Sequence, residues 1–419
     1  MGILIKNAKI VFKGDETYDI LIEDDIIKKI GKSLEPDSDI EIIDAKNKIV
    51  TPNFIDPHIH LDKVLVLESV RPNKSGTLTE AIEILWDKKR SYTIDDIVER
   101  AGRVIQWAVM NGTLNIRTHV DVDTIGGLMP LKGVLAAREK YGHLANIQIV
   151  AFPQEGILKD PGTEELLYKA MEMGADIVGG MPANENTDED HHKHIDIAFE
   201  IAKKYDADID MHVDETDDPN SVTLEYLAGK TIEEGYFGRV TAGHTCALAA
   251  YKDEYAEKVI EKVAKAKIHM ITNPATNLML QGREDRQPKR RGITRVKELL
   301  AAGVNVSFGQ DCIKDTFYPF GQADMLEVAL ITAHAAHLSL PDEIDTTFKM
   351  CTFNAAKILG LKNYGIKEGN KANLVILNSP SILEAIRTQP GRIVIKNGKI
   401  IARKTKETTL MSTPGVNTG

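Results

Sequence analysis

Cysteine is scarce in this 419-residue sequence, and the three present, Cys246, Cys312 and Cys351, lie far apart with no C-x-x-C pair. Their spacing excludes a disulfide framework or a zinc knuckle and points to a reducing, intracellular compartment. Aromatic residues are also few, at 5%. No apolar run approaches the roughly 18 residues of a membrane helix. The N-terminal Met-Gly-Ile-Leu-Ile-Lys meets Lys6 before a signal-peptide core can form, and the same lysine breaks the myristoylation pattern. Positive charge is in the minority: 52 Lys plus Arg against 62 Asp plus Glu give a formal net charge of −10. That balance disfavours nucleic acid or an anionic membrane as a partner. A soluble, cytoplasmic protein acting on a small or neutral molecule is expected.

What is present is enough apolar material, 42%, for a large core. Residues 1–51 carry short β-type runs at Ile3–Phe12, Asp19–Ile22 and Ile26–Ile30, broken by Gly14, Asp24-Asp25 and Gly31. Residues 353–419 repeat the style, with Asn373-Leu-Val-Ile-Leu and two runs flanking Asn397-Gly398, a step favoured in two-residue hairpins. Neither end alone buries much surface, so the two are expected to pair into one small β-sandwich domain. Residues 52–352 alternate helix and strand. In one unit Thr93 and Asp96 read as a capping box, apolar residues recur at helical spacing from Ile94 to Ala108, and Gly112 ends the helix. Eight apolar strands can be counted, from Phe54–Ile59 to Asn305–Gln310. The expected α/β fold is therefore a (β/α)8 TIM-type barrel with its active site at the C-terminal strand ends.

His58 and His60 end the first of these strands, and a spacing of two aims both imidazoles at one face. His212, His244 and Asp311 each end a different strand, and in a closed barrel the first and eighth strands are neighbours. His58, His60, His212 and Asp311 thus read as ligands of one divalent metal, Zn, Fe(II) or Mn, with an open position for water. His244 either completes a second metal site or hydrogen-bonds the attacking water. The second role is favoured because the fourth strand, Asp176-Ile-Val-Gly-Gly-Met-Pro, offers no bridging lysine. Glu215, three residues after His212, is placed to relay protons to a ring nitrogen and a departing amine.

In this order His58-x-His60-Leu-Asp-Lys, Arg117-Thr-His-Val-Asp, Phe152-Pro-Gln154-Glu-Gly, His212-x-x-Glu215, Gly243-His244, Gln281-Gly-Arg, Pro288-Lys-Arg-Arg-Gly and Phe308-Gly-Gln-Asp311 run through the chain. Together with Tyr364-Gly-Ile and Gly369-Asn-x-Ala-Asn-Leu, the set resembles the prokaryotic cytosine deaminases of the amidohydrolase superfamily. That resemblance implies a mononuclear Fe(II) or Zn barrel that hydrolyses the exocyclic amine of a free pyrimidine base. It assigns Gln154 to the ring's amide edge, Glu215 to the proton shuttle, His244 to orienting hydroxide and Asp311 to both metal and water. Phe152 and Phe317 would flank the ring. The sequence departs from the pattern at Cys312, where those enzymes carry a second aspartate, and at Phe317, where they place a tryptophan. A smaller, uncharged neighbour there suits a substituted ring such as 5-methylcytosine.

Other features read more plainly. His191-His-Lys-His194 suggests a solvated helix start, Lys289-Arg-Arg291 a surface or loop-anchoring run, and His119, at the end of the second strand, either enters the pocket or is a hydrogen-bonded neighbour of the site. The cysteines lack the Pro-Cys-x-x-Cys element of the unrelated zinc deaminase fold. Alternatives with the same site are hydrolysis of another aminated ring (isocytosine, triazine, pterin or creatinine-like), and a non-catalytic metal-binding barrel. A homo-oligomer is expected, with no segment dictating its number.

Overall fold

The computed structural model describes residues 2–35, 40–407 and 409. Among them, eight parallel strands form one sheet in chain order: Phe54–Ile59, Thr113–Asp121, Asn146–Phe152, Ile177–Gly180, Asp208–Val213, Val240–His244, His269–Thr272 and Val306–Phe308. These first to eighth barrel strands match the eight expected. Every residue of the second strand is buried, yet its sequence alternates: Leu114, Ile116, Thr118 and Val120 with Asn115, Arg117, His119 and Asp121. Leu114, Ile116 and Val120 join the core packed under the surrounding helices. The polar set therefore faces the barrel interior.

The sheet closes where its first and last strands meet. Ile59 and Asp311 form a parallel bridge. The Asp311 N–H donates to the His58 carbonyl at 2.7 Å, and the His60 N–H donates to the Asp311 carbonyl at 3.1 Å. Pro57 has no N–H to give the ladder, and the register with the second strand shifts between Asp56 and Ile59. Asp56 stitches the seam, accepting from the backbone N–H groups of Gln310 at 3.1 Å and His58 at 3.3 Å. The regular eighth strand stops at Phe308, short of the expected Gln310.

The helix at Ile94–Met110 starts and stops as expected, with Gly112 at a φ of 87° just beyond it. Only half of the capping box forms, however. Thr93 Oγ1 accepts from the Asp96 N–H at 3.2 Å, but the Asp96 carboxylate turns away to Arg100 Nη2 at 2.8 Å, a stronger charged partner. The histidine tract is a second correction. The helix runs Asp188–Tyr205, starting before the tract, and His194 is fully buried in it rather than solvated. His194 Nδ1 donates to Glu185 Oε1 at 2.7 Å, and its Nε2 accepts from the Met181 N–H at 3.1 Å. The basic run behaves as a loop anchor, with Arg290 Nη2 at 2.7 Å from Asp285.

Both chain ends build the second unit. Strands Tyr18–Glu23 and Glu41–Asp44 flank Gly2–Ile10, and the end of Gly2–Ile10 pairs with Ile49–Pro52, which leads on to Leu374–Leu377, Arg392–Lys396 and Lys399–Lys404. Ile5, Ile20, Ile22, Val50, Leu374 and Ile395 share one buried cluster, so residues from both ends are needed to fill it. Lys396 pairs with Lys399 across Asn397-Gly398, whose φ values of 48° and 71° are those a tight hairpin demands. Arg392 ties this unit to the barrel. Its guanidinium is fully buried and forks onto Asp324, with Nη1 at 3.0 Å and Nη2 at 2.9 Å from the two carboxylate oxygens. Nη1 also donates to the Asn111 carbonyl at 2.8 Å. Arg392→Ala leaves the Asp324 charge without this fork, and is expected to destabilise the protein by about 3–5 kcal/mol. Denaturant unfolding checks this; a change below about 1 kcal/mol would show that the fork holds nothing together.

Candidate functional site

Each candidate ligand sits where a strand ends. His58 lies within the first strand and His60 just past it, His212 within the fifth, His244 at the end of the sixth, and Asp311 in the seam after the eighth. The structure brings all five together. His60 Nε2 is 3.1 Å from His212 Nε2 and 3.4 Å from Asp311 Oδ1, and His58 Nε2 is 3.5 Å from the same oxygen. One ligand atom from each of His58, His212, His244 and Asp311 lies within 4.8 Å of every other. Metal bonds of about 2.0–2.1 Å in a tetrahedral site set neighbouring ligand atoms roughly 3.3–3.4 Å apart, so the observed separations suit one ion. His58 Nε2 and Asp311 Oδ2 are buried without a hydrogen-bond partner, as atoms reserved for a ligand would be.

The electrostatics suit the same end. Burial, reinforced by the His119 charge, pushes His58 down to about 3. Burial and neighbouring cationic groups hold His60 and His212 well below the ordinary range. Burial opposes ionisation of Asp311, but the His58 and His60 rings beside it outweigh that and hold its pKa well below the usual carboxylate range. Neutral imidazoles beside an ionised carboxylate are the forms that ligate metals. His244 differs. Burial opposes its charge, yet the Glu215 carboxylate prevails and raises it. Its Nδ1 is 3.1 Å from Glu215 Oε1 and 3.0 Å from Asn277 Nδ2, and its Nε2 is 3.1 Å from Asn273 Nδ2. Asp311 and His244 both take left-handed backbone conformations, with φ of 64° and 66°, a strain often stored at functional sites.

Beside this cluster lies a narrow cavity whose lining includes His60, His212, His244 and Asp311. Gln154, Glu215, Phe152, Cys312 and Phe317 all line it, so the structure gathers every residue singled out for substrate. Phe152 also stacks on His212, with ring centroids 4.1 Å apart at 26°. Helix Leu78–Lys89 covers part of the mouth with Leu78 and Ile82.

A model of the amidohydrolase family matches residues 41–402. The chain belongs to the amidohydrolase family. It is 36% identical to an N-isopropylammelide isopropyl amidohydrolase of Pseudomonas sp. (strain ADP), covering 96% of this chain and 97% of that protein. A pterin deaminase of Rhizobium rhizogenes is 32% identical, covering 92% and 88%. Among solved structures, a 5-methylcytosine deaminase from Klebsiella pneumoniae liganded with 5-fluorocytosine superposes with a TM-score of 0.92 at 37% identity, covering 99% of this chain and all of that one.

In this amidohydrolase several site residues carry no signal of their own in the sequence. Asn273 and Asn277 sit at the start of a short helix, Pro274–Leu280, where Asn-Pro reads simply as a helix entry. Asn277 Nδ2 also donates to Glu215 Oε1 at 3.0 Å, holding that carboxylate over the ligand cluster. Asp210 lies two residues before His212 on the same face of the strand, and that spacing is the clue that would have found it. It is 3.3 Å from His119 Nε2 and 2.8 Å from Arg117 Nη1, and ligand atoms of His58, His119 and Asp210 also lie within 4.8 Å of one another. Met181 follows the fourth strand, and no lysine stands there.

His212→Ala removes a ligand atom without a substitute. Purified wild-type protein is expected to carry about one divalent ion per chain and the variant well under half of that, read by elemental analysis. Gly309 supplies a second test of the same geometry. A Cβ there would stand 2.6 Å from both the carbonyl oxygen and Cβ of His58, neither free to retreat while the seam holds. Gly309→Ala is expected to lower metal content and thermal stability together; unchanged metal content would mean that the seam does not set the ligand positions.

Proposed function

We propose that this amidohydrolase removes the exocyclic amine of a free pyrimidine base, cytosine or a substituted cytosine such as 5-methylcytosine, giving the uracil-type product and ammonia. In balance, one water adds at the ring carbon, the C–N bond breaks, and the carbon is left as a carbonyl. His58, His60, His212 and Asp311 would hold the single divalent ion, Fe(II), Zn or Mn. Of the two remaining candidates, His60 is preferred to His244 as a ligand because both nitrogens of His244 already have partners. The ion's contribution is to bring a water toward pKa about 7, so that hydroxide is available at neutral pH.

Glu215 carries the reading. Its carboxylate is buried, bonded to both His244 and Asn277, and lines the cavity beside the ligand cluster. From there it carries one proton of the attacking water to the ring nitrogen beside the scissile carbon; the water's second proton, accepted by Asp311 as the carbonyl forms, goes to the leaving amine. His244 orients the water. Gln154 binds the ring's far edge, while Phe152 and Phe317 exclude solvent from its faces, which strengthens each polar contact. Cys312, buried beside the ligand carboxylate and lining the cavity, is the small, uncharged neighbour that would suit a substituted ring. The likeness to the 5-methylcytosine deaminase supports the same choice.

A second reading keeps the site and changes the ring. It is favoured by the relatives named for N-isopropylammelide and pterin. Ammonia or alkylamine release from cytosine, 5-methylcytosine, isocytosine, ammelide-type triazines and pterin separates the two. The expected order places 5-methylcytosine at or above cytosine in kcat/KM, and both well above the triazines and pterin. A strong preference for plain cytosine removes the role given to Cys312 and Phe317. Glu215→Gln is expected to keep its metal and lose about 10²–10⁴-fold in kcat. Full activity in that variant would remove the proton shuttle.

A further inference from the structure

Lys63 follows His60 by three residues and is as buried as any ligand, with its side chain 1% exposed. Its ammonium lies between the two aromatic walls, 5.3 Å from the Phe152 ring centroid and 5.6 Å from that of Phe317. Two protein acceptors engage it. One is Asp121 Oδ1 at 2.7 Å, and the other is Gln154 Oε1, in close contact. An ammonium has three protons, and among the described residues no further acceptor is within reach. Lys63 lines the cavity, so the third proton is left for its occupant.

The position of this cation is not adjustable. The other oxygen of Asp121 is 2.6 Å from Lys89 Nζ, and that ammonium also meets Asp123 at 2.7 Å and Glu155 at 2.9 Å. Lys89 ends the helix Leu78–Lys89, whose Leu78 and Ile82 cover the cavity mouth. Asp121 is shared between the two lysines while Lys89 has two further carboxylates of its own, so the network balances the Lys63 charge and what Lys63 offers the cavity is a fixed N–H donor.

Lys63 also decides what Gln154 offers. A lysine accepts no hydrogen bond, so the amide oxygen of Gln154 must be the atom that faces it. The amide Nε2 is buried and has no partner. The far wall therefore presents two donors side by side, one of them charged, in place of the donor and acceptor pair expected of a glutamine alone. A ring complementary to that wall places an acceptor atom against it. An exocyclic oxygen meets the requirement, because its two lone pairs can accept from both donors.

We propose that Lys63, with Gln154, is a specificity-determining contact that selects rings carrying an exocyclic oxygen on the edge away from the scissile amine, with that oxygen accepting from both donors. The assignment rests on the aminohydrolase reading for the direction of the amine, and on the cavity alone for binding. Two ring ligands of similar size test it in the metal-loaded protein: barbiturate, an oxygen-rich pyrimidine that is ionised at neutral pH, and 4-aminopyrimidine, which has no oxygen. Calorimetry is expected to show barbiturate bound at least about tenfold tighter. Lys63→Met should abolish that preference by weakening barbiturate alone, and Lys63→Arg should restore most of it. Gln154→Glu keeps an oxygen for Lys63 but replaces the second donor with a negative charge; it should weaken barbiturate by about tenfold or more, and it decides the matter should Lys63→Met fail to fold. No preference in the wild type, or a preference that survives Lys63→Met or Gln154→Glu, overturns the assignment. If the binding pattern holds but no aminated ring releases ammonia, the proposed reaction fails and the Lys63 contact stands. If ammonia is released while both ligands bind alike, the contact fails and the reaction stands.

Discussion

Two backbone hydrogen bonds across the barrel seam, Asp311 N–H to the His58 carbonyl and His60 N–H to the Asp311 carbonyl, set the distances on which the site depends. They close the sheet and, in the same stroke, hold the His-x-His pair against the carboxylate. A barrel has no free edge between its first and last strands, so the two ligand clusters cannot drift apart without opening the fold. The sharp approach has local requirements. Pro57 breaks the ladder, Gly309 makes room for His58, and Asp311 accepts a left-handed backbone. A non-glycine residue in that conformation costs on the order of 1–2 kcal/mol. The seam hydrogen bonds and the closed core offset it.

Much of this was legible because two periodicities carry different information. Period-two alternation placed His58 with His60 on one face, and helical spacing with Thr93 and Gly112 delimited the Ile94–Met110 helix. Strand ends that carried His212, His244 and Asp311 then converged by topology. What failed did so where charge concealed burial. His194 follows Asp188-Glu-Asp-His-His-Lys and looks solvated, yet it shares a helix face with Ile197, Ala198 and Ile201. Half of the Thr93 capping box gave way because Asp96 found Arg100. Lys63 belonged to a recognised motif without a role, since a lone lysine reads as surface until Asp121 and Gln154 are seen beside it.

The barrel interior is organised as polar layers rather than as a filled apolar core. Arg117, Asp210 and His119 form one layer beneath the ligand cluster. Lys89, Asp121, Asp123 and Glu155 form another beside the cavity. Buried charges of this kind are stable only when each has partners, and such networks are costly to alter piecemeal. Their value here is positional. A tethered Asp210 orients His119 against His58, with ring centroids 4.1 Å apart, and a shared Asp121 fixes Lys63.

The same logic separates reaction from specificity within one cavity. Groups on the first, fifth, sixth and eighth strands face the ligand cluster and would act on the scissile carbon, whichever ring is present. On the proposed reading, Lys63, Gln154 and Phe317, which line the same cavity, would hold the part of the ring that does not react. Interactions there orient the substrate, and a ring that fits poorly sits with its amine away from Glu215. On that reading, exchange of a residue such as Cys312 or Lys63 would change the accepted ring while the ligand set stays the same. Relatives named for a methylated pyrimidine, a pterin and an alkylated triazine are what such a division of labour would produce.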